Sequence, residues 1–276
     1  VQNFVGLAIA RRLHRPAIIT PHFHPGDPNH EQATARRLLR WCDVVVAVTP
    51  YEASQLARRG VPAQQIVTAS NAIDLPPPDS TANAGAQFRR LLGIDAETAL
   101  VTYVGRKSSE KDLPTLVRAA ALVAGRRDLA LALAGPSTER YRAESREWRR
   151  SGARILELPS ISEPAKCALL AATDVLVQPS PREAFGIVFL EAWAAGVPVI
   201  GAASGAVPGV VADGGLTFAP GDSADLAAKL TRLLEYPGEA RAMAARGRAR
   251  VVREHTWERV GAAVDQAYAL ARGERS

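Results

Sequence analysis

The chain has 276 residues, 47% of them apolar, and a formal net charge of +6, the profile of an ordinary globular chain with room for one large domain or two smaller ones. No apolar run approaches the roughly 18 residues a membrane span needs. The apolar stretch 4–10 is followed, not preceded, by basic residues, Arg11 and Arg12, which is the wrong order for a secretory leader. Two cysteines, Cys42 and Cys167, are too few for a disulfide framework or a zinc site, so two buried thiols and a reducing cytosol are expected.

The chain opens on Val1 in what reads as mid-helix, as a fragment of a longer protein would. Residues 1–14 predict a helix and 17–20 a short strand. The loop from Thr20 to Asp27 follows, with His22 and His24 in it and His30 beyond it. A helix is expected over 31–41, a strand over 43–48 and a helix over 50–59, which Gly60 stops. A last strand, 65–69, ends this half. Residues 71–79 contain three consecutive prolines, Pro76, Pro77 and Pro78. Such a run joins neither a helix nor a central strand, so 74–84 reads as a semi-rigid linker. The second half predicts strands at 99–104, 129–134, 154–157, 174–178, 198–200 and 216–218, with helices between them. Helices at 222–235, 239–250 and 256–271 close the chain. Strands alternating with helices from end to end mean an α/β fold with parallel sheets.

All but four of the 34 basic residues are arginine; the lysines are Lys107, Lys111, Lys166 and Lys229. Arginine pairs such as Arg36-Arg37 and Arg126-Arg127 are scattered through predicted helices, and aromatics are only 5%. A nucleic-acid surface needs a clustered basic face with stacking aromatics, so nucleic acid is not an expected partner. The arginines read as a solvated surface, with weak attraction to anionic lipid head groups as the furthest reach of that charge.

The stretch from Pro179 to Gly201, PSPREAFGIVFLEAWAAGVPVIG, concentrates the chemistry. Pro179 and Pro181 hold the chain extended. Glu183 therefore ends a loop, and Phe185, Gly186 and Ile187 read as the first turn of an apolar helix. Free amides and the helix dipole at such a turn bind anions such as phosphate. Glu191 lies eight residues beyond Glu183, about 12 Å along a helix and turned by roughly 80°. Paired carboxylates that cleave one glycosidic bond stand roughly 5 to 9.5 Å apart. These two read as gripping opposite ends of one long ligand with a phosphate cradle between them, a shape that fits a nucleotide sugar. Val104, Gly105 and Arg106 end a strand, and Lys111 begins the next helix. In a doubly wound sheet both cations would point into the crevice at the carboxyl ends of the strands, where they could clamp phosphate.

E-A-F-G-I-V-F-L-E resembles the E-x7-E motif of retaining glycosyltransferases of the GT-B fold, most closely glycosyltransferase family 4, and V-L-V-Q-P-S before it and E-A-W-A-A-G-V-P-V-I-G after it extend the likeness. Asn71-Ala72-Ile73-Asp74 is similar to the family's N-G-[VI]-D segment between domains, with Ala72 in place of glycine. The resemblance implies two Rossmann-like domains. Residues 1–73 would be the later part of an incomplete acceptor-side domain, 74–84 the linker, 85–255 the nucleotide-sugar domain, and 256–276 a helix returning to the first domain. It implies that Arg106 and Lys111, as G-R-x4-K, hold the donor diphosphate with the amides of Gly186, Ile187 and Val188 beside Phe185. Ile161 would hold the nucleotide base through its backbone, Glu191 the ribose and Glu183 the sugar hydroxyls. His22, in Thr20-Pro21-His22, would face the sugar, so His22 and Glu183 are the expected catalytic pair.

The implied donor is a nucleoside-diphosphate sugar and the acceptor a glycan, a lipid or a small molecule. The implied setting is cytoplasmic, at most peripheral at the inner membrane face, in cell-envelope polysaccharide synthesis. No cofactor is expected. No D-x-D segment is present to hold a metal–diphosphate complex, and His24 and His30 come without acidic partners, so no metal is expected either. A G-x4-G-K-[ST] phosphate loop is also missing. Two rivals remain: a nucleotide-sugar-binding fragment without turnover, and an epimerase or phosphorylase on the same fold. A phosphorylase would need a pyridoxal lysine in a pocket, and none of the four lysines is expected to occupy one.

Overall fold

The computed structural model describes residues 2–23, 33–75, 81–148 and 152–274. The first part runs α1 Gln2–Arg12, β1 Ile18–Ile19, α2 Ala33–Trp41, β2 Val44–Ala47, α3 Pro50–Arg58 and β3 Ile66–Thr68. The second runs α4 Thr81–Leu91, β4 Ala99–Val104, α5 Leu113–Ala124, β5 Leu129–Ala134, α6 Glu139–Trp148, β6 Arg154–Leu158 and α7 Glu163–Ala172. It continues with β7 Val175–Gln178, α8 Ile187–Ala194, β8 Val199–Ala202, α9 Val207–Val211, β9 Gly215–Phe218, α10 Ser223–Glu235, α11 Pro237–Glu254 and α12 Trp257–Ala271.

These strands form two parallel sheets, one of three strands in the order β1-β2-β3 and one of six in the order β6-β5-β4-β7-β8-β9. The chain reverses direction across the larger sheet between β4 and β7. Doubly wound sheets open a ligand crevice at such a reversal. Strand β5, Leu-Ala-Leu-Ala-Leu-Ala, is buried at every position. That is the signature of a parallel strand covered by helices on both faces. Caps set several helix starts: Thr49 accepts from the Glu52 amide at α3, Ser162 from Ala165 at α7, and Asp222 from Ala224 and Asp225 at α10.

The last helix packs against the small sheet. Thr256 caps α12, and Ala267 is fully buried in a cluster with Val44, Val46, Val67 and Ala69 of the small sheet. Two expectations need correction. The linker expected over 74–84 gives way to helix at Thr81, because α4 packs on the larger body: Arg89 donates to the Ala172 carbonyl at 2.7 Å and pairs with Asp174 at 3.3 Å. Cys167 is exposed, not buried, since its side of α7 borders an open cavity. Cys42 is buried as expected, and burial, with Asp43 adding to it and Arg11 opposing, pushes its thiol up to about 11.

Candidate functional site

The carboxyl end of β4 forms one wall of the site. Tyr103, fully buried, donates its hydroxyl to the Arg106 carbonyl at 2.9 Å. Burial pushes that phenol above its ordinary value, the nearby Glu183 pushes it further, and Arg106 opposes both. Lys107 then turns back into the body. Its amide donates to the Pro136 carbonyl at 2.7 Å. Its ammonium, only 4% exposed, reaches Glu157 at 2.7 Å and the Leu158 carbonyl at 2.9 Å. Tyr141 donates to the other Glu157 oxygen at 2.6 Å. This buried knot fixes the loop that displays Arg106. The Arg106 side chain itself is 62% exposed and stands 3.9 Å from Glu110, four residues on. Lys111 is half-buried, with its Nζ 2.9 Å from Glu183 Oε2.

The loop after β7 forms the facing wall. Gln178 ties the two strands together by donating to the Val104 carbonyl at 2.8 Å. Ser180, almost fully buried, donates to the Arg182 carbonyl at 3.1 Å and turns the chain toward Glu183. The helix begins two residues later than the sequence suggests, at Ile187, so Phe185 precedes it. The Phe185 ring is buried edge-on to His255 at 5.6 Å. It anchors the loop and leaves only its backbone to meet a ligand. Gly186 sits at φ +84, and an added Cβ would lie 2.6 Å from the Phe189 ring, so only glycine fits there. The amides of Ile187 and Val188 open α8; the Ile187 side chain is exposed and Val188 is half-buried.

Glu191, in the second turn of α8, is not the unpaired charge that its apolar surroundings suggest. Its Oε1 lies 2.7 Å from Lys166 Nζ on α7, and Lys166 also holds Glu163 at 2.8 Å. Burial pulls the Lys166 ammonium down, but hydrogen bonds to Glu163 and Glu191 outweigh it and hold the group above its ordinary value. A cavity of about 550 Å³ opens beside this pair, lined by Ile73, Lys166, Cys167, Ile187, Glu191 and Trp257 among others. A lysine therefore does line a pocket, contrary to expectation, but as an ion-pair partner of two carboxylates. Ile161 is half-buried on the approach to α7, against the cluster that holds Leu169 and Ala172.

Thus the structure joins Lys111 to Glu183 and Lys166 to Glu191, while Arg106 pairs with Glu110. His22 lies at the carboxyl end of β1, exposed, with φ +48. His24 and His30 lie outside the described residues. Sequence reasoning passed over Lys107 and Lys166. The usable signal was rarity, since the surface of this chain is supplied with arginine, and three of its four lysines lie in part-buried or buried ion pairs around this crevice. Among the described residues no three His, Cys, Asp or Glu side chains gather as metal ligands would, and no helix is long and apolar enough to cross a membrane. Two cations and a helix N-terminus at a switch point can attract an anion, and the two carboxylates beside them can accept from hydroxyl groups.

Comparison with known proteins bears on the family and the fold. The profile of the family described as Glycosyl transferases group 1 matches residues 86–250, and that of Glycosyltransferase Family 4 matches residues 2–76. The D-inositol 3-phosphate glycosyltransferase of Thermomonospora curvata is 36% identical over 246 residues, 83% of this chain and 56% of that protein. The chain thus spans little more than half the length of that relative. Among solved structures, sucrose-phosphate synthase from Thermosynechococcus elongatus superposes with a TM-score of 0.83 at 27% identity, over 99% of this chain and 72% of that one. Anabaena HepE in complex with UDP and glucose superposes with a TM-score of 0.85 at 22% identity, over 97% and 75%; that likeness is one of fold.

Proposed function

The chain belongs to the group 1 glycosyl transferases of family 4, with the GT-B fold, and from that premise we propose that it transfers a sugar from a nucleoside-diphosphate sugar to an acceptor hydroxyl. The observation that carries the reading is the Lys111–Glu183 contact at 2.9 Å. It brings the cationic loop after β4 against the carboxylate loop that leads into α8, so phosphate and sugar ligands stand side by side at the switch point.

In this reading Arg106 and Lys111, with the amides opening α8, hold the diphosphate and stabilise the charge it gains on leaving. Glu183 and His22 orient the sugar. Glu191, steadied by Lys166, holds the ribose, and the Ile161 backbone holds the base. The acceptor oxygen bonds to the anomeric carbon on the face from which the phosphate departs. The bond from that carbon to the phosphate oxygen breaks, and the acceptor proton passes to the departing phosphate. Configuration is retained and no metal or cofactor is required. The acceptor is a glycan, a lipid or a small molecule, and the likeness to an inositol-phosphate enzyme supports testing a small phosphorylated polyol first. The setting we propose is cytoplasmic, with weak peripheral contact to anionic lipid through surface arginines.

The test is a titration of UDP, GDP and ADP and their sugars against two variants, with and without EDTA. Glu191→Gln should weaken the plain nucleotide about tenfold, the loss of one charged hydrogen bond. Glu183→Gln should leave the plain nucleotide almost untouched and weaken only the nucleotide sugar. Equal losses of the plain nucleotide in both variants would sink the end-to-end arrangement. A strict need for Mg²⁺ or Mn²⁺ would sink the metal-free one. Retention is checked by the anomeric NMR signal of the first-formed product.

A further inference from the structure

One carboxylate joins the ends of two strands of the small sheet. Glu52, in the first turn of α3, is 2% exposed. Its Oε1 accepts the Phe23 amide at 2.5 Å, its Oε2 accepts the Val48 amide at 2.6 Å, and its own amide donates to Thr49 Oγ1 at 3.0 Å. The Phe23 segment continues β1 and Val48 continues β2, so the clamp sits at their carboxyl ends. Immediately before the clamped amide, His22 takes φ +48, a left-handed backbone that a residue with a Cβ adopts only when its surroundings impose it. The residue that follows is held twice, since the Phe23 ring is buried under the Arg59 guanidinium at 4.3 Å. His22 itself is exposed. A rigid anchor next to an exposed, strained histidine is the arrangement of a side chain held out for use.

We propose that Glu52 is the positioning residue of His22: its carboxylate holds the backbone that presents the imidazole to the donor sugar. This rests on the transferase reading above. A carboxylate accepts from both amides at once, whereas a glutamine at the same place has one acceptor oxygen and turns its NH₂ toward the second amide. Glu52→Gln should therefore release one end of the clamp and let His22 relax.

The experiment measures transfer and nucleotide binding in the native polypeptide for Glu52→Gln, His22→Ala and the double variant. Glu52→Gln should lower kcat about tenfold or more and leave nucleotide Kd and donor KM within about twofold, because the donor phosphates sit on the other sheet. In the His22→Ala background the same change should add less than about twofold, since both act through one group. An unaltered kcat, or an equal fall in both backgrounds, overturns the proposal. Should the glutamine variant fail to fold, Glu52→Asp, which keeps the charge but reaches only one amide, serves in its place. It should lose about threefold or more of kcat with Kd unchanged, again only when His22 is present, and wild-type kcat overturns the proposal. If the unaltered protein transfers nothing from any nucleotide sugar, the transferase reading fails and takes this one with it. Turnover that ignores both Glu52 variants sinks this proposal alone.

Discussion

In the six-stranded sheet the covering helices come from the same stretch of chain as the strands, and the loops at the strand ends are tied by buried or half-buried lysine–glutamate pairs. In the three-stranded sheet one face is covered by α1, α2 and α3, but the other depends on α12, which arrives only after the whole second body has been built. Its loop is tied by one carboxylate on two backbone amides. The larger body carries its own core. The smaller one has one face closed only by α12, through the chain crossings at 70–75 and 255–257. There Ser70 and His255 Nδ1 lie 2.7 Å apart, and Trp257 donates to Asp74 at 2.8 Å.

The largest expected effect tests that dependence. Ala267→Asp puts a charge at a fully buried site between α12 and the small sheet. It should cost about 4 kcal/mol or more, as an unpaired buried charge does. The small sheet should melt early while the larger one still binds nucleotide, giving two transitions by calorimetry. A single lowered transition would mean that the two sheets unfold as one, and the comparison would break.

Lys107→Met tests the larger body. It removes one partner of an ion pair whose glutamate is 25% exposed, so water recovers part of the loss. We expect about 2 to 3 kcal/mol, somewhat below the figure for a fully buried pair. Nucleotide binding should weaken as well, because the Arg106 loop loses its anchor. Denaturant unfolding and nucleotide titration measure the two effects separately. Stability that falls without loss of affinity would show that the knot supports the fold but not the site.

The same substitution should have opposite signs in the two regions. In α11 of the larger body, an added Cβ at Gly247 would lie 2.4 Å from the fully buried Trp193 ring. Gly247→Ala should therefore destabilise by about 1 to 3 kcal/mol through overpacking. In α12, Gly261 meets nothing within 4 Å, so Gly261→Ala should stabilise by about 0.5 to 1 kcal/mol through helix propensity. Thermal melts of the two variants decide it, and a shared sign would remove the contrast.

The smallest effect belongs to the crossing itself. His255 is 5% exposed; burial pushes its pKa down, the Asn71 carbonyl opposes, Arg250 adds to the lowering and Glu254 opposes. A lowered folded pKa means that the unfolded chain takes up the proton first. Stability should be fully present above about pH 6.5, the ordinary histidine value, and decline as the pH falls below it. His255→Gln should flatten that part of the profile in urea melts run from pH 7.5 to 5. An unchanged slope would place the acid sensitivity elsewhere.

Much of the fold was legible because local periodicity carries it. Leu129–Ala134 could only be a buried strand, Gly60 stops α3 and Thr256 caps α12. The end of the 74–84 segment misled because small polar residues after prolines resemble a linker, and from Thr81 on it is docking against α7 that favours the helix. Of the site, Glu183, Gly186 and Glu191 stood out in one short stretch, and Lys111 through its rarity. Lys107, Lys166 and Glu52 did not, because a lysine or glutamate in a helix or loop reads as a solvated charge until something is packed against it.

What the sequence determined by itself was therefore the alternation of elements, the break between two bodies, and the loop-to-helix turn with a carboxylate on either side. Those are properties of neighbours along the chain, set by side-chain period, proline and glycine. Only the tertiary structure decided which charges meet. Lys107 finds Glu157 across 50 residues, Lys111 finds Glu183 across 72 and Phe23 finds Glu52 across 29. The orders β6-β5-β4-β7-β8-β9 and β1-β2-β3 set those encounters. A charge is worth little in water and much when its partner shares a buried site, and no local pattern states where that partner will be.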